Sequence, residues 1–318
     1  MKNFVIGAGR WGSFIAWYLD SIGHNVSLYG RESSAKMQQL IKTRKNSVIE
    51  FPKTVNLTTS LDKITDFDVI LISIDSQGLS ALMDTLKDRE IENKIFVLCM
   101  KGIEIGTGKR LSEIVKERTS ATNEVAVWLG PGHVQEFYAG RPNCMVIDSE
   151  SQKAKEKLVD SFSSSLIRFY YGTDLIGNEI GAAAKNVIGI AAGMLDGLGL
   201  SSLKGALMAR GPREISRLVS ALGGNPVSVY GLCHLGDYEA TVFSKYSHNR
   251  GYGEALIKGE EQAGLAEGYY TVKALIELSA KYSVELPICQ AVYKVIYEGA
   301  SPTEEMERLF SRSLKNEF

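Results

Sequence analysis

The chain has 318 residues, 23% of them charged, and a formal net charge of −1. That length allows two domains with a core each, and so even a charge balance excludes an electrostatic footprint for nucleic acid or an anionic membrane, which leaves small molecules as the expected partners. Cys99, Cys144, Cys233 and Cys289 form no C-x-x-C pair and read as reduced thiols of a cytoplasmic protein. No apolar run approaches the roughly 18 residues of a spanning helix, and no His, Cys and carboxylate cluster at ligand spacing calls for a metal.

The apolar triplet Phe4-Val5-Ile6 predicts a first strand, which leaves no room before it for a signal peptide. Behind it stands Gly7-Ala8-Gly9-Arg10-Trp11-Gly12, a G-x-G-x-x-G run. Ser13–Leu19 is helix-compatible, Gly23-His24-Asn25 reads as a stop, and Val26–Tyr29 predicts a second strand. Glycines in the first turn of such a unit let a pyrophosphate meet backbone N–H groups at a helix N-terminus. Gly7 permits the tight turn, Gly9 the approach of the phosphates and Gly12 the packing of helix on strand.

An enzyme that selects NAD usually carries an acid at the end of the second strand, about twenty residues past the glycines. Here that stretch reads Leu28-Tyr29-Gly30-Arg31-Glu32. Arg31 would attract the 2′-phosphate of NADP, which makes NADP the expected cofactor, while Glu32 keeps NAD open.

Further strands are predicted at Thr54–Thr58, Phe67–Ser73, Lys94–Met100, Val125–Leu129, Cys144–Asp148 and Leu166–Tyr171. Amphipathic stretches at Ser76–Asp88, Gly108–Arg118 and Ser151–Ser164 alternate with them, the pattern of a sheet covered by helices. Beyond Gly177 helical periods take over, in Asn178–Gly193, Leu203–Leu222, Leu265–Tyr282 and Leu286–Tyr297. The expected fold is α/β: a Rossmann-type, mostly parallel sheet with helices on both faces over residues 1–176, then an all-helical substrate domain over 177–318.

Within Gly181–Gly193 one lysine, Lys185, has Gly181, Ala182, Ile188 and Gly189 as its helix-surface neighbours. One reading is a stem that snorkels to water over the glycines. The other is an ammonium aimed at a substrate carbonyl, able to give or take a proton.

Gly7–Gly12, Met100-Lys101-Gly102-Ile103-Glu104, Leu129-Gly130-Pro131, Ala184-Lys185-Asn186-Val187-Ile188, Ala209-Arg210-Gly211, Leu235-Gly236-Asp237, Asn249-Arg250, Ala266-Glu267-Gly268 and Leu286-Pro287-Ile288 follow one another in a specific order and spacing. In these segments the chain resembles, over essentially its whole length, the bacterial NAD(P)-dependent glycerol-3-phosphate dehydrogenases. The resemblance implies reversible reduction of dihydroxyacetone phosphate to sn-glycerol 3-phosphate, a supply of backbone for phospholipid synthesis. It implies Lys185 as proton donor and acceptor, with Lys101 and Asp237 completing the polar site. Gly7, Gly9, Arg10, Trp11, Gly12, Arg31, Lys101, Arg250 and Glu267 fall to the cofactor. Lys101, Gly130, Lys185, Asn186, Asp237, Thr241, Ser247, His248 and Asn249 fall to the substrate, a small phosphorylated ketone or alcohol. Blander readings stand beside these: a loop charge for Lys101, a helix cap for Asp237, solvated charges for Arg250 and Glu267. A homodimer is left open.

Three positions depart from the family pattern. Gly132 stands where the family has Ser or Thr, Gln135 where it has Lys, and His248 where it has a phosphate-binding Arg. Histidine cannot reproduce the planar, permanent charge of arginine, and losing one charge-assisted contact costs about 1.5–3 kcal/mol, so the phosphate grip is expected to be weaker, with Arg250 the nearest substitute. Two alternatives follow: a dehydrogenase of the same architecture for another small keto-phosphate or hydroxyacid, and an inactive cofactor-binding paralogue.

Overall fold

The computed structural model describes residues 1–260, 264 and 266–313. The strands are β1 (Lys2–Ile6), β2 (Asn25–Tyr29), β3 (Asn56–Thr58), β4 (Val69–Ile72), β5 (Ile95–Leu98), β6 (Glu124–Leu129), β7 (Asn143–Ser149) and β8 (Ile167–Tyr171). Each lies on a predicted run. They form one sheet in the order β3-β2-β1-β4-β5-β6-β7-β8, parallel except where β7 runs antiparallel to β6.

The sheet is legible because its inner strands are buried on both faces and so read as continuous apolar runs. All four residues of β4 (VILI) and of β5 (IFVL) are buried. Val69, Leu71, Ile95 and Val97 share a core with Phe14, Ile15 and Leu19 of helix α1 (Arg10–Ser21) and Leu158 and Phe162 of helix α6 (Gln152–Phe162). Alternate strand residues, Ile70, Ile72, Phe96 and Leu98, are buried too and point to the opposite face. The chain winds outward from β1 in both directions, so right-handed crossovers place helices α3 (Leu79–Leu86) and α4 (Leu111–Arg118) on that second face. Helices α2 (Ala35–Thr43) and α5 (Val134–Tyr138) complete this half.

From Leu175 the chain is helical: α7 (Leu175–Gly197), α8 (Lys204–Ala221), α9 (His248–Lys258), α10 (Glu267–Tyr282), α11 (Pro287–Tyr297) and α12 (Pro302–Phe310). The expected start of a helical period at Leu265 lies outside the described residues. Contacts divide the chain into a sheet unit, Met1–Lys101 with Lys109–Glu179, and a helical unit, Gly102–Gly108 with the chain from Ile180 on. Helix α7 is the axis of the helical unit, with residues 180–195 buried. It touches α9 backbone to backbone: a Cβ on Gly193 would stand 1.9 Å from the carbonyl oxygen of Arg250, and one on Gly253 would stand 2.1 Å from that of Ile190. Among the described residues, no helix is long and apolar enough to cross a membrane.

Candidate active site

In the sheet unit, the glycine run leaves β1 where the strand order reverses between β1 and β4, the position at which open α/β sheets bind ligands. Gly7 has φ +115°, a conformation side chains rarely adopt, and a Cβ there would lie 2.1 Å from the Ser73 carbonyl oxygen behind β4. A Cβ on Gly12 would lie 2.0 Å from the Gly7 carbonyl oxygen, so the turn and α1 fit only as glycine. Gly9 is the N-cap of α1, no side chain caps it, and a Cβ there would meet open space. A bare helix N-terminus beside open space at the carboxyl ends of parallel strands fits a dinucleotide pyrophosphate.

Arg10 is exposed, whereas the Trp11 ring packs on Phe14, Trp128 and Phe137. Gly30 is buried and a Cβ on it would press 2.8 Å from Met37 Cγ; Arg31 beside it is exposed. The acid of an NAD-selecting site therefore has no room at position 30 without moving α2. Lys101, beyond β5, donates from Nζ to the carbonyl oxygen of Gly130, beyond β6, at 3.0 Å.

The departures Gly132 and Gln135 also belong to this unit. Gly132 has φ +143°, and a Cβ on it would overlap the Phe137 ring, 2.2 Å from Cε2. The residue that the family's Ser or Thr would replace is thus held as glycine by its own backbone and by an aromatic ring. Gln135 keeps its Oε1 buried without a hydrogen-bond partner.

In the helical unit, Lys185 lies on α7 with 8% of its surface exposed, so it does not snorkel to bulk water. Its Nζ is 2.9 Å from Asp237 Oδ2 and donates to Thr241 Oγ1 at 2.6 Å. Thr241 in turn donates to the Asp237 carbonyl oxygen at 2.7 Å, and lies in a π-helical turn, Glu239–Phe243, directly behind Asp237. Asp237 and Thr241 are each 1% exposed. A buried ammonium held by a carboxylate and a hydroxyl has one fixed direction, and losing the carboxylate would leave an uncompensated charge.

One residue on, Asn186 accepts at Oδ1 from Asn249 Nδ2 at 3.0 Å, while Asn249 Oδ1 accepts from the Gly268 amide at 2.9 Å. This ties α7 to the first turns of α9 and α10. Ser247 caps α9, its Oγ accepting from the Arg250 amide at 3.2 Å. His248 opens α9 and packs its ring against Gly264, where a Cβ would be 3.1 Å from Nδ1. Glu267 opens α10, where a helix N-terminus favours an acid. Arg250 is committed elsewhere: Nη1 reaches Asp196 at 2.8 Å and Glu254 at 2.9 Å, and Nε donates to the Ser244 carbonyl oxygen at 3.2 Å. A turn toward a phosphate would have to break that clamp.

The geometry also brings in residues that sequence reasoning missed. Lys204 shares Asp196 with Arg250, at 2.6 Å, and His234 and Tyr238 are fully buried on either side of Asp237. A lone histidine in Leu232-Cys233-His234-Leu235 carries only the weak signal of a polar residue in an apolar run.

Two family models match the chain: the N-terminal region of NAD-dependent glycerol-3-phosphate dehydrogenase over residues 2–155, and its C-terminal region over residues 174–307. A glycerol-3-phosphate dehydrogenase [NAD(P)+] of Thermoanaerobacter sp. is 36% identical over 100% of this chain and 99% of its own length. That of Prosthecochloris aestuarii is 36% identical over 99% of both chains. The crystal structure of a glycerol-3-phosphate dehydrogenase from Coxiella burnetii superposes with a TM-score of 0.92 at 27% identity, over 98% of this chain and 99% of that one. Two matched halves, full-length relatives and a shared fold place this chain in the NAD(P)-dependent glycerol-3-phosphate dehydrogenase family.

Proposed function

We propose that the chain reversibly reduces dihydroxyacetone phosphate to sn-glycerol 3-phosphate, with Lys185 as the residue that gives and takes the proton. The observation that carries this reading is the Lys185, Asp237 and Thr241 triad, a buried ammonium with a single direction. When bound, the nicotinamide supplies the hydride to the ketone carbon. Lys185 stabilises the charge that develops on the oxygen and delivers a proton to it; fixed donors act best where charge appears during reaction. Asp237 holds that ammonium in place, and Lys101, oriented by the Gly130 carbonyl, is assigned to the polar surroundings of the same carbonyl by the family resemblance. Asn186 and Asn249 keep α7 and α9 in register beside it.

NADP is the proposed cofactor, supported by Gly30, whose Cβ position is filled by Met37, and by the exposed Arg31. The substrate's phosphate end is proposed to be held more loosely than in relatives with an arginine at position 248. The test is oxidation of NADPH and NADH against dihydroxyacetone phosphate, unphosphorylated dihydroxyacetone and small keto acids. We expect turnover of the phosphorylated ketone with NADPH ahead of NADH, a preference that Arg31→Ala reduces about tenfold or more. His248→Arg should lower KM for dihydroxyacetone phosphate by about tenfold. Turnover of the unphosphorylated ketone alone would overturn the substrate assignment, and no turnover with any of them would indicate an inactive paralogue.

A further inference from the structure

His234 is a buried titratable group beside the Lys185 and Asp237 pair that this mechanism leaves without a task. Its ring is 0% exposed and lies between the turn that carries Asp237 and helix α7. Nδ1 stands 2.7 Å from the Gly181 carbonyl oxygen. A carbonyl only accepts, so Nδ1 carries the proton, and Nε2 accepts from Tyr238 Oη, also at 2.7 Å. Burial lowers the imidazole pKa to about 4, which keeps the ring neutral.

The two ends of this bridge coincide with the two ends of the catalytic pair. Gly181 is one turn before Lys185, and in an α-helix its carbonyl is the one that accepts the Lys185 amide. At the other end, the His234 carbonyl oxygen accepts from the Asp237 amide at 3.0 Å. His234 to Gly181 and Asp237 to Lys185 are therefore neighbouring rungs between the same two segments. The packing leaves room for this bridge and little else. A Cβ on Gly181 would come 3.1 Å from His234 Cβ, and one on Gly211 would come 2.7 Å from Tyr238 Oη.

We propose that His234 is a positioning residue for the reduction: a neutral imidazole of fixed tautomer that ties the Asp237 turn to the Lys185 helix and so holds carboxylate against ammonium. The inference rests on the assignment of Lys185 as proton donor. The Gly181 carbonyl fixes the tautomer, Tyr238 supports it by donating to Nε2, and the bond that matters is Nδ1–H to Gly181. A reacting group misplaced by about 1 Å can lose on the order of a hundredfold in rate, so a loosened rung should appear in kcat before it appears in cofactor affinity.

The experiment compares kcat for dihydroxyacetone phosphate and the dissociation constant for NADPH in wild type, His234→Leu, His234→Asn, Tyr238→Phe and Lys185→Ala, each as the full chain. His234→Leu should lower kcat at least tenfold and leave NADPH affinity within twofold. His234→Asn places an amide N–H where Nδ1–H stood and should recover most of that loss. Tyr238→Phe removes one hydroxyl only and should lower kcat roughly threefold to tenfold, which decides the matter if His234→Leu does not fold. Folded His234→Leu or Tyr238→Phe protein with wild-type kcat, or His234→Asn no better than His234→Leu, would overturn the proposal. Lys185→Ala separates the two claims: if it keeps wild-type kcat, the lysine assignment falls, and if it alone is inactive, only the tie falls.

Discussion

Residue identity at Gly132 illustrates how a departure from a family pattern acquires a physical meaning once its surroundings are known. From sequence, Gly132 is a lost hydroxyl near the substrate's phosphate. In the fold, its φ of +143° and the Phe137 ring across its Cβ position both exclude a side chain. Gly132→Ser should therefore destabilise the protein, by about 2–4 kcal/mol from backbone strain and overpacking together, without tightening substrate binding. Phe137→Leu in the same chain should return part of that loss. Chemical denaturation measures both, and a Gly132→Ser protein as stable as wild type would contradict the steric account. Lys185 was legible because a lysine among glycines and alanines breaks a local rule, and Asp237 because of its motif. His234 was not, because a histidine satisfied by one carbonyl and one tyrosine hydroxyl, 53 and 4 residues away along the chain, leaves no local pattern.

Elements follow the same division between local and long-range information. All eight strands were legible: burial on both faces writes the inner ones as apolar runs such as Val69–Ile72 and Ile95–Leu98, and the edge strand β8 alternates buried Ile167 and Phe169 with exposed Arg168 and Tyr170. Helix α2 was not, for only Met37 and Leu40 of its nine residues are buried, too few to set a period. Helix α9 was hidden by Gly251 and Gly253, and Gly253 is there because the backbone of α7 lies against it. A long-range cap was equally invisible: Glu214 of α8 is fully buried and accepts from the amides of Ile288 and Cys289, at 2.8 and 3.0 Å, where α11 begins. Replacing that carboxylate by Glu214→Ala strands two buried donors, and the expected loss is about 2–5 kcal/mol. Urea denaturation showing a loss under 1 kcal/mol would mean that α11 starts without it.

At the scale of the whole molecule, buried ionisable groups make stability depend on pH in a direction that can be worked out. His234 has its folded-state pKa lowered to about 4 by burial, below the ordinary value of 6.5. Between those limits the unfolded chain binds a proton that the folded one does not, so stability is full above pH 6.5 and is lost as pH falls toward 4. The contribution is about 3 kcal/mol across that window. Glu179 and Glu214, whose pKa is raised by burial, act in the opposite sense and lose stability as pH rises. The difference between wild type and His234→Asn isolates the histidine: that difference should shrink steadily from pH 6.5 to pH 4, and a constant difference would contradict a neutral buried ring. The strand runs and the change to helical periods beyond Gly177 were readable along the chain, while the pairing of α7 with the Asp237 turn, on which the proposed chemistry rests, depends on contacts 52 and 56 residues apart. That pairing is tested most directly by kcat/KM for dihydroxyacetone phosphate in Lys185→Ala, with the NADPH dissociation constant measured on the same protein. A loss of about 10²–10⁴-fold with NADPH binding unchanged is the predicted result for removing a general acid, and a kcat/KM within tenfold of wild type would contradict it.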